Sequence, residues 1–236
     1  MLEVQRKDIR FNVSNEGEYS YFWSKDDWES TTYDWFLKFL DSEHSYIDVG
    51  SWIGPTVLYG AQLAKHVYAL ESDPVAYKEF QENLRLNPNF SHKVSSFQAC
   101  LADESGTVKM GTSSMRGDSM SSLLFSSEED NWEATAYSLE DLISQAGIND
   151  CNFIKIDIEG GECVALPVMY DYLKQHKPSL HLSVHTPWFE DEIKGLDVIK
   201  DVAKLYKYCF DDAGNPVDIE SLPTGFYILV LTDSNE

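Results

Sequence analysis

The chain reads as an α/β protein: a doubly wound, mostly parallel sheet with helices on both faces. Three observations carry that reading. Short apolar runs that fit buried strands alternate with segments of helical periodicity. The first such run, within IDVGSWIGP at 47–55, ends in a glycine turn and a helix start. Two later runs, FIKIDIEGGE at 153–162 and SLHLSVHTPWF at 179–189, place polar and charged residues at their carboxyl ends. Open parallel sheets bind ligands at those ends.

Residues 7–23 alternate apolar and polar about Asn15–Glu16–Gly17. That pattern predicts a hairpin with Ile9, Phe11 and Val13 against Tyr19, Tyr21 and Trp23. A helix is expected over 26–40, with Trp35, Phe36, Phe39 and Leu40 on its apolar side. Tyr46 to Val49 is the first core strand. Gly50 and Gly54 bracket a tight turn where a side chain would obstruct a ligand. Pro55 opens the next helix with its φ already set. His66 to Leu70 is the second strand, closed by Glu71. Asp73 caps a helix through Asn87, with Tyr77, Phe80 and Leu84 facing inward. Val94 to Leu101 reads as one strand.

Residues 103–135 are irregular, with a hairpin expected about Ser105–Gly106. The polar stretch TSSMRGDSMSS at 112–122 fits either a surface loop or a mobile cover over a site. Beyond it, helices are expected over 138–146, 162–175 and 190–206, and strands over 152–158, 180–185, 206–210 and 226–232. Glu190, Asp191 and Glu192 favour the start of the last helix through its dipole. No repeat or linker divides the chain. It reads as one domain over 1–236, with a hairpin-and-helix extension at 1–40 and a core at 41–236.

The 236 residues carry 40 acidic and 18 basic side chains, a net charge of −22. That argues against a broad nucleic-acid footprint and against docking on anionic lipid. Cys100, Cys151, Cys163 and Cys209 lack C-x-x-C spacing, so reduced thiols are expected. The first residues lack a signal-peptide apolar core, and no apolar run is long enough to span a membrane. The expected setting is the cytoplasm. The oligomeric state cannot be read from the chain.

Two constellations carry chemistry. The strand, glycine turn and Glu71, about twenty residues on, form an adenosine-binding unit in which the acid takes two ribose hydroxyls. A nicotinamide dinucleotide would suit G-x-G-x-x-G, whereas this turn is G-x-x-x-G. Asp48, two residues before the first glycine, would repel a pyrophosphate. S-adenosylmethionine (SAM) has no phosphate and carries an ammonium and a sulfonium, so an acid suits it. Asp157, Glu159 and His185 form the second constellation, on two strand ends. They could take a proton from a hydroxyl or, as a lesser alternative, hold a divalent metal. Trp188 and Phe189 could line a substrate pocket.

IDVGSWIGP, ALESDP at 69–74, FQACLADESG at 97–106, YSLEDL at 137–142 and KIDIEGGE at 155–162 together resemble the FkbM family of SAM-dependent methyltransferases. DWESTT at 27–32 and LSVHTPWF at 182–189 resemble a subgroup of it. The resemblance implies a Rossmann-like class I methyltransferase fold: a seven-stranded sheet whose last strand is antiparallel. It implies SAM as donor, its demethylated form SAH as product, and a hydroxyl on a small molecule or glycan as acceptor. Carried over by position, Asp48, Gly50, Ser51 and Gly54 hold the methionine end, and Thr32 closes it with Trp28 and Glu29. Glu71 and Ser72 meet the ribose, and Ala99 and Cys100 border the adenine. Asp157 approaches the SAM amino group or the reacting centre. Glu159 or His185 is the base, and no metal ligand is expected. Trp52, also counted with the cofactor-binding residues at the methionine end, stands where many members have asparagine. Two other readings compete: a SAM-binding module without catalysis, and a nicotinamide-dependent oxidoreductase.

Overall fold

The computed structural model describes residues 1–15, 19–25 and 28–234. It opens with β1 (Leu2–Arg6) paired antiparallel to β2 (Ile9–Val13), Val4 opposite Phe11. This hairpin differs from the expected one. Its turn is at Lys7–Asp8, with Lys7 in the left-handed region at φ 48°. Tyr19 is not in a strand, and Ser20–Trp23 form a short helix, α1. The alternation in LEVQR already supplies a partner for β2, and Trp23 meets Phe11 edge-on at 6.0 Å from helical backbone. Glu16 and Gly17 of the expected turn lie outside the described residues. So do Asp26 and Asp27 of the expected first helix, which runs as α2 (Ser30–Phe39).

The core follows: β3 (Ser45–Val49), α3 (Pro55–Gly60), β4 (His66–Leu70), α4 (Pro74–Arg85) and β5 (Val94–Phe97). Asp73 caps α4 as expected, its Oδ1 accepting from Val75 and Ala76 N–H. The strand expected over 94–101 is two strands. After Gln98 the chain leaves the main sheet, and β6 (Ala99–Leu101) enters a second one. There β7 (Gly106–Thr112), β8 (Ser121–Ser122) and β9 (Asn131–Tyr137) complete the order β6–β9–β7–β8. The expected hairpin about Ser105–Gly106 does not form, because β6 and β7 flank β9 instead of pairing. In β9 the buried face is only Ala134 and Ala136, too weakly apolar to mark a strand in the sequence.

The chain then returns through α5 (Leu139–Ala146), β10 (Cys151–Ile156), α6 (Glu162–His176), β11 (Ser179–His185), α7 (Glu192–Ala203), β12 (Tyr208–Asp211) and β13 (Phe226–Thr232). The main sheet has the order β12–β13–β11–β10–β3–β4–β5. Neighbours among β5, β4, β3, β10 and β11 run parallel, and β13 is antiparallel to both β11 and β12. This is the expected seven-stranded sheet with its last strand reversed.

Strand periodicity divides the core. Ile154 and Ile156 join Ile47, Val49 and Leu182 on the face covered by α5, α6 and α7. Phe153 joins Tyr46, Val67 and Ala69 on the face covered by α2, α3 and α4. Each fully buried Ile, Leu or Phe contributes about 1.5–3 kcal/mol relative to an exposed one. Lys155 shares the Phe153 face, toward the N-terminal extension. Among the described residues, no helix is long and apolar enough to cross a membrane.

Candidate active site

The carboxyl ends of β3, β4, β10 and β11 open into a cavity of about 430 Å³, within the size range of small-molecule sites. The second sheet and the N-terminal extension supply its walls. Gly50, Ser51, Trp52, Glu71, Ser72, Ala99, Cys100, Asp157, Glu159 and His185 all line it. The structure thus brings ten of the sequence-nominated residues to one place.

Glu71 is nearly buried at the end of β4. One carboxylate oxygen accepts from Trp52 N–H at 2.8 Å, the other from Asp73 N–H at 2.7 Å. Trp52 presents its N–H from left-handed backbone, φ 49°. Burial pushes the Glu71 pKa up to about 7, against these hydrogen bonds. Each carboxylate oxygen can accept about two bonds, so capacity remains for two hydroxyls. Burial pushes the Cys100 thiol up to about 12, so this residue forms wall and is no nucleophile.

Of the residues nominated for the cofactor, Asp48, Thr32 and Gly54 do not line the cavity. Asp48 is fully buried; its Oδ2 accepts from Thr56 Oγ1 (2.7 Å) and Tyr46 Oη (3.1 Å), and its Oδ1 has no partner. Thr32 is buried, its Oγ1 3.3 Å from His181 Nε2. Its neighbours Trp28 and Glu29 line the cavity instead. Gly54 packs under Phe80, 2.5 Å from where a Cβ would sit. Gly50 has φ +86°, and a Cβ there would lie 1.8 Å from the Asp157 carbonyl oxygen. The close approach of two strand ends demands this glycine, not clearance for a ligand.

Lys155 is 2% exposed, its Nζ 3.2 Å from Asp157 Oδ2. Burial disfavours the ammonium, but the charges of Asp157, Glu29 and Asp48 hold its pKa above the usual value. Burial likewise opposes the Asp157 carboxylate, and Lys155 and His185 hold it below the usual range. Burial raises Glu29, with Lys155 opposing.

His185 ends β11. Its Nδ1 lies 2.9 Å from Glu162 Oε1, and its Nε2 is 3.6 Å from both Asp157 Oδ1 and Glu159 Oε2. Burial favours the neutral ring, but the hydrogen bond and charge of Glu162, then Asp157 and Glu159, push the pKa up to about 9. Burial pushes Glu159 up to about 7, with His185 opposing. His181, on the same strand, is fully buried; desolvation and the Lys155 charge push it down to about 3, so its ring is neutral. One atom each of Asp157, Glu159 and His185 lie within 4.8 Å of one another, a donor set that could take a divalent cation. A proton on His185 Nε2 competes with any such ion.

Sequence reasoning missed Glu162, which is fully buried at the first position of α6. An acid there reads as a partner of the helix dipole. The loop residues Asp118 and Ser119, and Ser121 of β8, also line the cavity, as do Phe226 and Tyr227 of β13. Trp188 and Phe189 do not. The Trp188 ring packs on Phe226, centroids 5.7 Å apart, and Phe189 packs against Gly195 of α7.

Several solved structures share this fold. A methyltransferase FkbM from Methylobacillus flagellatus KT superposes with a TM-score of 0.54 at 18% identity, covering 81% of this chain and 44% of that one. This chain therefore spans less than half the length of that protein. An rRNA methylase from Streptococcus thermophilus gives 0.50 at 11% identity, covering 86% and 94% of the two chains. A chain of a fibrillarin/Nop5p complex gives 0.52 at 13%, covering 98% and 93%. No curated protein sequence matches this chain. The family model for the methyltransferase FkbM domain matches residues 48–211, over two thirds of the chain, from the carboxyl end of β3 through β12. The glycine turn, the acid after β4 and the acidic end of β10 all fall within that match, and the chain belongs to the FkbM methyltransferase domain family.

Proposed function

We propose that this protein is a SAM-dependent methyltransferase that methylates a hydroxyl oxygen of a small-molecule or glycan acceptor. The observation that carries this reading is one continuous cavity with two chemically distinct ends. At one end Glu71 is anchored by two backbone N–H groups and keeps capacity for ribose hydroxyls. At the other, Asp157, Glu159 and His185 converge beside the Lys155 ammonium.

The residues fit the cofactor. Asp48, Glu29 and Asp157 outnumber Lys155 near the methionine end, an environment that attracts an ammonium and a sulfonium. Asp48 acts through its charge from beneath the cavity, its Oδ1 a buried acceptor without a donor. A dinucleotide fits poorly, since Lys155 and His185 are the only basic side chains lining the cavity among the described residues. Both are already committed to carboxylates.

When bound, SAM supplies an electrophilic methyl on its sulfonium. The chain's own residues position the acceptor and manage its proton. Glu159, with a pKa of about 7, is ionised in useful amount at neutral pH and can receive the hydroxyl proton. His185 is a poor base, because it already carries its proton near neutrality. Glu162 fixes the ring through Nδ1, leaving Nε2–H to face the acceptor oxygen and the Glu159 carboxylate. The exposed Phe226 ring, 5.8 Å from the His185 ring, offers an apolar surface for the rest of the acceptor. Holding two reactants in line can itself supply roughly 7–11 kcal/mol of the barrier reduction.

The test is incubation with methyl-labelled SAM and a panel of glycans and hydroxylated metabolites, with the product identified by mass spectrometry and alkali treatment. An alkali-stable methyl ether is expected. Label appearing only on nitrogen or carbon would overturn the O-methylation reading. SAH binding with no transfer to any acceptor would favour a binding module.

A further inference from the structure

The loop between β7 and β8 is joined to the cofactor turn by a closed set of hydrogen bonds. The Gly117 carbonyl accepts from Trp52 Nε1 at 2.8 Å, and the Gly117 N–H donates to Asp73 Oδ2 at 2.7 Å. Trp52 and Asp73 are also the two residues whose backbone N–H groups bond the Glu71 carboxylate, at 2.8 and 2.7 Å. One residue of the loop is therefore held, on both its backbone N–H and its carbonyl, by the residues that hold the ribose acid. Ser121 Oγ adds a bond to Asp73 Oδ2 at 3.3 Å, and Trp132 Nε1 donates to Ser72 O at 3.1 Å. These four ties end at Trp52, Ser72 or Asp73, and a fifth, from Ala99 N–H of β6, ends on the Glu71 carbonyl at 3.0 Å.

Sterics select this geometry. Gly117 is buried with φ +91°, and a Cβ there would lie 2.4 Å from Tyr19 Oη and 2.8 Å from Val75 Cγ1. The Trp52 ring is set by Phe22 at 4.7 Å and by Tyr19 and Trp28 at 5.8 Å each. The indole thus reaches out of the turn at a fixed angle. An asparagine at position 52 would tolerate the left-handed backbone but is too short to span to Gly117.

We propose that Trp52 and Asp73 are positioning residues that couple cofactor binding at Glu71 to the placement of the Gly117 peptide, making residues 113–121 a wall of the cofactor site. The proposal rests on Glu71 as the ribose acceptor. Ordering Glu71 by the cofactor orders Trp52 and Asp73, and those two residues order the loop. By reciprocity, a loop held in place strengthens cofactor binding by the same factor.

The test substitution is Trp52→Phe, which keeps a ring against Phe22 and removes the indole N–H. Loss of one such bond is expected to weaken SAH binding about 3- to 10-fold by calorimetry. The KM for SAM should rise equally, while kcat at saturating SAM stays within about twofold of wild type. Amide exchange at Gly117 should quicken in the variant, and in the wild type SAH should slow it. Gly117→Ala displaces the same peptide without altering the turn and should reproduce the loss. Wild-type SAH affinity in both folded variants, or Gly117 exchange indifferent to SAH, overturns the coupling. Failure of the underlying reading looks different: Glu71→Gln would then bind SAH as tightly as wild type.

Discussion

Replacing Glu71 by glutamine tests the adenosine end of the cavity most directly. Glu71 accepts two backbone N–H bonds and is 7% exposed. A glutamine keeps one acceptor oxygen and turns an NH₂ toward a second backbone N–H. Hydrogen bonds to a charged group contribute about 1.5–3 kcal/mol, so SAH affinity should fall roughly ten- to a hundredfold. The pH dependence makes the test sharper. Burial raises the folded pKa from 4.5 to about 7. A raised carboxyl stabilises the fold fully below its unfolded value, and that contribution is lost as pH climbs through about 7. At 1.36 kcal/mol per pH unit the interval amounts to roughly 3 kcal/mol. Ribose hydroxyls prefer the ionised acceptor, so SAH affinity should rise over the same interval in which stability falls. Calorimetric titration with SAH and urea unfolding at pH 5, 6, 7 and 8 read both quantities. In Glu71→Gln the affinity should be low and flat, and the stability slope shallower than wild type by the Glu71 share. Undiminished affinity in the variant, or wild-type affinity that does not change between pH 6 and 8, would refute the assignment.

Glu159→Gln should lower kcat about 10²- to 10⁴-fold with SAH affinity nearly unchanged, as for loss of a general base. Wild-type kcat should increase through pH 7 as Glu159 ionises, and a flat profile would assign the proton elsewhere. Glu162→Gln removes the charge that holds the His185 ring, so NMR titration should show the imidazole pKa falling from about 9. Breaking that buried pair should also destabilise the fold by about 3–5 kcal/mol in urea unfolding. A strong chelator should leave methyl transfer unaffected. Loss of activity restored by added Mg²⁺ or Mn²⁺ would place a cation on Asp157, Glu159 and His185.

Much of the framework was legible because its signals are local. The period of two in β10 separates Ile154 and Ile156 from Lys155 without reference to any other strand. Pro55 and Asp73 mark helix starts through their own backbone chemistry. The errors have equally physical causes. The first hairpin was displaced because β2 alternates with residues on either side, and only packing chooses between partners. β9 was missed because alanines carry its buried face. Asp48 and Thr32 fall in family motifs, yet both are beneath the cavity, occupied by Thr56 and Tyr46 or by His181.

Sequence alone determined which residues end the core strands: Glu71 after β4, Asp157 and Glu159 after β10, and His185 on β11. Strand period and turn chemistry are properties of a few consecutive residues, and the rule that ligands meet carboxyl ends then selects the site. Tertiary structure alone decided what those residues do to one another. Glu162 raises His185, Asp157 with Glu29 and Asp48 sustains the Lys155 ammonium, and Gly50 lets the Asp157 carbonyl approach. Trp52, read in the sequence as a departure within the glycine turn, finds its partner at Gly117, 65 positions along the chain. Such pairings are set by distance and burial across the fold, which no local pattern encodes.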